Sequence, residues 1–180
     1  METSTILTPG RLALIALANE YCQALENVPE TGLGDFVASM TRLLPRLYMA
    51  ASDLQNPVVT GEADEDDVYL EEALDESRYD SVRRSIEALV GADDVYLETF
   101  ESDMKYSDTP IGASISESLA DLFQELYNFT DTVRNARVEM IPAALAALKD
   151  DFETYWSQTL CNVMRPLNNL RYNIPDEDAD

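Results

Sequence analysis

Glu117, Asp121 and Glu125 stand four residues apart, so a helix would place three carboxylates on one face, with Asn128 about one turn further along. Carboxylate oxygens are the ligands that magnesium and manganese prefer, and helical metalloproteins assemble them from neighbouring helices. These three residues are therefore the candidate metal ligands. Glu71-Glu72 with Asp75, and Glu98 with Glu101, could supply the other half of such a site. Its chemistry would be magnesium-dependent hydrolysis of a nucleotide. The competing reading is plain. A chain with 35 acidic residues acquires carboxylates at helical spacing by chance, and the polar face of a helix is where they belong.

The residue inventory removes several other chemistries. There is no histidine, which excludes Ser-His-Asp and Cys-His nucleophile pairs, histidine-ligated zinc and histidine proton relays. Cys22 and Cys161 lack any paired spacing, cannot form a metal site alone, and read as buried free thiols; nothing argues for a disulfide between them. Lysine occurs only at Lys105 and Lys149, so a phosphate-handling site would have to use arginines. Arg83-Arg84, Arg134, Arg137 and Arg165 are scattered and are expected to pair with nearby acids, each exposed pair contributing under about 1 kcal/mol. Ser114 has no base beside it and is no nucleophile candidate. No cofactor is implied beyond magnesium in the hydrolase reading.

A net charge of −23 repels phosphate backbones, so direct binding to nucleic acid is not expected. Such a surface suits a partner protein with a basic face, and it would also suit an acidic mimic of nucleic acid. The segment 62–76 carries nine acids around Val68, Tyr69, Leu70 and Leu74. Tyr69, Leu70, Glu71 and Glu72 are accordingly the candidate partner-binding residues, in a loop that could order on docking. Solvation of an ordinary acidic loop is the alternative.

The elements that must position these residues read as helices. Ile115, Leu119, Leu122, Leu126, Phe129 and Val133 alternate at spacings of four and three, opposite the acidic stripe. Ser114 followed by Glu117 makes a capping box at the start of that helix. Thr8-Pro9 starts an earlier helix with a core face of Leu14, Leu17, Tyr21, Leu25 and Val28. Asp35 is placed to cap a second, with Phe36, Met40, Leu43, Leu47 and Leu54 in period, and Pro45 should kink or split it. Asn56-Pro57 ends it. A third helix runs through Tyr79, Val82, Ile86 and Leu89 to a stop at Gly91. Asp93–Met104 is ambiguous between strand and helical turn, and 107–112 reads as a loop. A last long helix runs from Ile141-Pro142 towards Leu170, with Tyr155 or Trp156 in its apolar stripe and Pro166 bending its end. The expected fold is an all-α bundle of five to seven helices, two of them kinked by prolines. It forms one domain over residues 1–172, with an acidic loop at 58–77 and a disordered acidic tail at 173–180.

Three segments resemble, in order, a family of small all-helical bacterial proteins described only as a domain of unknown function. They are Leu44-Pro45-Arg46-Leu47-Tyr48, Ala113 through Phe129 with its Ser-Glu-x-Leu-Ala-Asp core, and Phe152 through Asn162 with the aromatic pair Tyr155-Trp156. The likeness spans about Leu17 to Leu170. Relatives often carry Gly and His just after the position of Trp156, where this chain has Ser157 and Gln158. The resemblance implies a helical cytoplasmic protein and brings no activity or site residues with it.

The N-terminal apolar run, Leu12–Ala18, lacks a basic segment before it and is too short to span a membrane, so a cytoplasmic location is expected. The leading expectation is a non-catalytic interaction or regulatory protein that binds another protein. A magnesium-dependent nucleotide hydrolase is the rival, and nucleic-acid mimicry the third reading. Oligomeric state is not set by any of these residues.

Overall fold

A computed structural model of the chain describes residues 6–55, 70, 72–98, 106, 109 and 111–173. Helix α1, Pro9–Glu26, starts where Thr8-Pro9 places it, with the Thr8 hydroxyl oxygen accepting the Arg11 N–H at 3.4 Å. Leu14, Leu17, Tyr21 and Leu25 are buried along it, as their spacing requires.

Helix α2 spans Leu33–Ser52. Gly32, not Asp35, occupies its N-cap; the helix starts three residues earlier than expected and leaves Asp35 in the first turn. Pro45 lies inside α2 and does not split it. The reason is energetic. An internal proline costs about 3 kcal/mol, whereas each buried leucine contributes about 2 kcal/mol. Leu43, Leu44 and Leu47 all sit in the core around it.

Helix α3, Glu76–Val90, is capped by Asp75, whose Oδ1 accepts the Arg78 N–H at 2.9 Å. Asp75 and Glu76 therefore belong to the helix start and not to the acidic loop. Gly91 at φ 64° ends α3, a conformation that a side chain would strain. The ambiguous segment after it is a strand: β1, Val95–Leu97, pairs antiparallel with β2, Gly112–Ser114, in the register Val95↔Ser114. Gly112, expected in a loop, is thus in a strand. Helix α2 ends at Ser52, with Asp53 as its C-cap, short of the stop expected at Asn56-Pro57. Residues 56–69, Glu101 and the tail beyond Asn173 lie outside the described residues.

The hairpin sets the start of helix α4, Ile115–Asn135. Ser114 caps it as expected, its Oγ accepting the Glu117 N–H at 3.2 Å. A second cap comes from the buried Asp94 at the head of β1. Its carboxylate accepts the Ser116 N–H at 2.8 Å and the Ser116 hydroxyl at 2.7 Å, and its carbonyl accepts the Ile115 N–H at 2.8 Å. A negative charge here also meets the positive end of the helix dipole.

Helix α5, Ile141–Asp151, continues through a π-helical turn, Phe152–Trp156, into helix α6, Ser157–Asn173. The single long helix expected from the periodicity is therefore an uninterrupted helical run that is widened in the middle. Pro166 lies inside α6. Within the π turn Trp156 is buried beside Phe152, their ring centroids 4.5 Å apart, while Tyr155 remains 46% exposed.

Helix α4 packs against α1, α3, α5 and α6, and α2 closes the bundle against α1 and α6. Tyr21, Phe36, Phe123, Phe129 and Trp156 fill the core, and the Tyr21 hydroxyl donates to the Leu119 carbonyl at 2.8 Å. The cysteines are apart in kind. Cys22 is buried, its thiol pushed up to about 12 chiefly by desolvation, whereas Cys161 is exposed, against the expectation that both are buried. Its position on the outer face of α6 is the reason. Among the described residues, no helix is long and apolar enough to cross a membrane.

Candidate functional site

The polar side of α4 is where chemistry-bearing groups converge. Because α4 is central, that side meets α3, the hairpin and the π turn over much of its length and water over the rest. Its four residues have four different surroundings. Glu117 is exposed, Asp121 and Glu125 are half-buried, and Asn128 is buried.

Asp121 sits between two tyrosines. The Tyr79 hydroxyl from α3 donates to Oδ1 at 2.7 Å, and the Tyr155 hydroxyl from the π turn donates to Oδ2 at 3.2 Å. Burial, and then the Asp121 carboxylate, push Tyr155 up to about 12; the same two causes raise Tyr79. Both phenols are therefore held in their protonated form near neutral pH, as donors to Asp121. Tyr96 on β1 completes the wall, with its hydroxyl 3.0 Å from the Ser118 Oγ.

Glu125 has no such hydroxyl clamp. Burial raises its carboxyl to about 7, with the charges of Asp151 and Asp121 adding to the effect. Asp151 is raised as well, by burial and by Asp150. Asn128 does structural work: its Oδ1 accepts the N–H groups of Ala73 and Leu74, both at 3.0 Å, and ties the segment before α3 to the bundle.

The proposed metal ligands are not gathered. Residues four apart on a helix are separated by about 6 Å along its axis, so Glu117, Asp121 and Glu125 need a second helix to close a site. What α3 and the π turn bring to Asp121 is tyrosine, not carboxylate. Among the described residues, no three His, Cys, Asp or Glu side chains lie together as a metal-holding group. Asp75 is used as a helix cap. Of the candidate partner-binding residues, Leu70 is half-buried against the core and Glu72 is exposed. Tyr69 and Glu71 lie outside the described residues. The arginines Arg83, Arg84 and Arg134 pair with acids on their own helices, as expected.

A cleft of about 310 Å³ opens beside Asp121, walled by Glu117, Tyr96, Tyr155 and Asn162. It adjoins a larger groove of about 650 Å³ between β1 and α6, and the two share Tyr96 and Asn162. The groove is lined by Leu97, Met164, Pro166, Asn169 and Asn173, with Arg165 on its wall. Sequence reasoning missed this surface. Tyr79 and Tyr155 read as members of apolar stripes, and the amides of α6 at positions 162, 169 and 173 carry no motif; their common helical face is the signal that was available.

Residues 8–173 match the family described as "Domain of unknown function (DUF5063)". The chain belongs to this family. The resemblance read from about Leu17 to Leu170 therefore holds and extends at both ends. Among solved structures, the crystal structure of protein BF1032 from Bacteroides fragilis is similar in fold, with a TM-score of 0.77 at 24% identity, covering 97% of this chain and 99% of that one. No curated protein matches the sequence. The family and the likeness establish the helical fold and bring no activity.

Proposed function

We propose that this member of the family is a non-catalytic cytoplasmic protein that acts as an adaptor or regulator by binding another protein. The observation that carries the reading is the open groove along α6. It is walled by amides and apolar side chains, and it includes Leu97, a large hydrophobic residue left 64% exposed on a two-stranded hairpin. Such an apolar residue standing out of a polar rim is a common feature of binding surfaces. The chemistry beside it suits recognition better than bond-breaking, since both oxygens of Asp121 accept phenolic protons.

Affinity capture of the tagged full chain from its native lysate, read by mass spectrometry at low and moderate salt, tests the reading. One or two partners that persist at moderate salt are expected. A blank at both salts would overturn it.

A further inference from the structure

The most distinctive surface of the molecule joins a row of amides, an exposed strand and a carboxylate at one end. We infer that the groove between β1 and α6 holds an extended, basic segment of another protein, with a lysine or arginine side chain entering the cleft at Asp121. The inference deepens the interaction reading above and rests on it.

Asn162, Asn169 and Asn173 are separated by seven and four residues, so they share one face of α6. Each amide offers both a donor and an acceptor. The Asn173 amide already donates to the Asn169 Oδ1 at 2.8 Å, which fixes that pair and leaves each amide further donor and acceptor capacity, so the row can still satisfy N–H and C=O groups of an extended backbone. From Asn162 to Asn173 the helix rises about 17 Å, the length of about five extended residues.

The hairpin offers the same backbone a second edge. In the observed register, Glu98 donates to the Ile111 carbonyl and Ile115 to the Asp94 carbonyl. Tyr96 and Ala113 are then the bonded pair between them, and Val95 and Leu97 turn their N–H and C=O groups away from β2. Among the described residues, no backbone group pairs with that edge. An added strand would meet it.

Charge selects the occupant. Glu117 and Asp121 stand at the cleft end of the groove, and the Tyr79 and Tyr155 hydroxyls hold both oxygens of Asp121 in place. A half-desolvated, oriented carboxylate favours a charge-assisted hydrogen bond from an incoming cation. Arg165 lines the other part of the groove, so the cation belongs at the Asp121 end and not along the whole length. A chain of net charge −23 adds attraction at long range and repels a phosphate backbone from the same surface.

The test uses the full chain and an immobilised array of random peptides of about nine residues, enough to overfill the amide face. Sets differ only in a central Lys, Arg, Gln or Glu. The Lys- and Arg-centred sets should bind ~10-fold more strongly than the Gln and Glu sets at physiological salt. Asp121→Asn should erase that preference while leaving weak binding of all sets. Asn162→Ala combined with Asn169→Ala should weaken every set ~10-fold with the preference intact. Leu97→Asp, at a side chain already in water, should abolish binding without a change in melting temperature. Equal binding of all sets, no binding by the wild type, or a preference that survives Asp121→Asn would overturn the inference. Partners captured from lysate that persist with both Leu97→Asp and Asp121→Asn would leave the interaction reading standing and remove it from this groove.

Discussion

The two sides of α4 are built from the same helical repeat and held by different physics. On one side Ile115, Leu119, Leu122, Leu126 and Phe129 are sealed in the core. Their contribution is non-directional and scales with the apolar area taken from water. On the other side Glu117, Asp121, Glu125 and Asn128 pass from exposed to buried along little more than three turns, and each buried polar atom needs a named partner at a set distance. Asp121 and Asn128 have such partners. Glu125 answers burial with a carboxyl raised to about 7 instead. The lesson is that a polar stripe on a helix marks a solvent face only if the helix lies at the edge of the fold.

Substitutions can break or sharpen this contrast. The largest effect belongs to the apolar side. Phe129→Ala should cost about 4 kcal/mol through lost transfer energy and a residual cavity. For a domain of this size that lowers the midpoint of thermal unfolding by roughly 10 °C, read by far-ultraviolet circular dichroism. A loss of only a degree or two would mean that this side is not the main anchor.

Asn128→Ala comes next, at about 2 kcal/mol, because two backbone N–H groups lose their acceptor. Hydrogen exchange gives the sharper readout: the Ala73 and Leu74 amides should exchange faster while those of the α4 core do not. Unchanged protection at these two amides would contradict the assigned role.

Glu125 gives a pH signature that the apolar side lacks. Its carboxyl rises from 4.5 to about 7 on folding, so the folded state binds this proton more tightly than the unfolded chain. The stabilisation is full below its unfolded value and is lost as pH rises through about 7. Glu125→Gln should therefore flatten the fall in melting temperature between about pH 5 and pH 8, and should stabilise the protein by about 1 kcal/mol at the upper end once solvent screening is allowed for. Asp151, raised as well, supplies the slope that remains.

Asp121→Asn should have the smallest effect on stability, under about 1 kcal/mol, because an amide oxygen still accepts from a tyrosine hydroxyl. Its effect should appear in binding instead, as set out above. A large loss of stability would reassign Asp121 from recognition to structure.

Much of the bundle is legible in the residues. Thr8-Pro9, Gly91 and Ser114 act within three or four residues of themselves, so their roles can be read locally; Asp75 acts as locally but reads as part of the acidic loop. The apolar periods of α1, α2 and α4 name core residues that are buried except Val133, whereas in α3 Val82 and Ile86 are buried and Tyr79 and Leu89 only half-buried. Legibility ended where a residue could serve either of two environments. Tyr79 and Tyr155 fit an apolar stripe by spacing, and only a carboxylate on another helix turned their hydroxyls into a clamp. Pro45 argued for a break because its local penalty is visible, whereas the leucines that outweigh it act through partners elsewhere in the chain. The π turn was invisible for a similar reason: a widened turn leaves the run helical in composition and carries no residue type that marks it.

The sequence by itself determined a mainly helical chain, the starts of α1 and α4, the stop of α3 at Gly91, its strong negative charge and the chemistries that a histidine-free chain cannot perform. These follow from local hydrogen bonding, from periodicity and from composition. Tertiary structure alone decided that Asp121 meets tyrosines 42 and 34 residues away, that Asp94 caps a helix beginning 21 residues later, and that a strand and a helix frame a groove. Those outcomes depend on how the helices pack, and packing is set by the whole core at once and by no single stretch of residues.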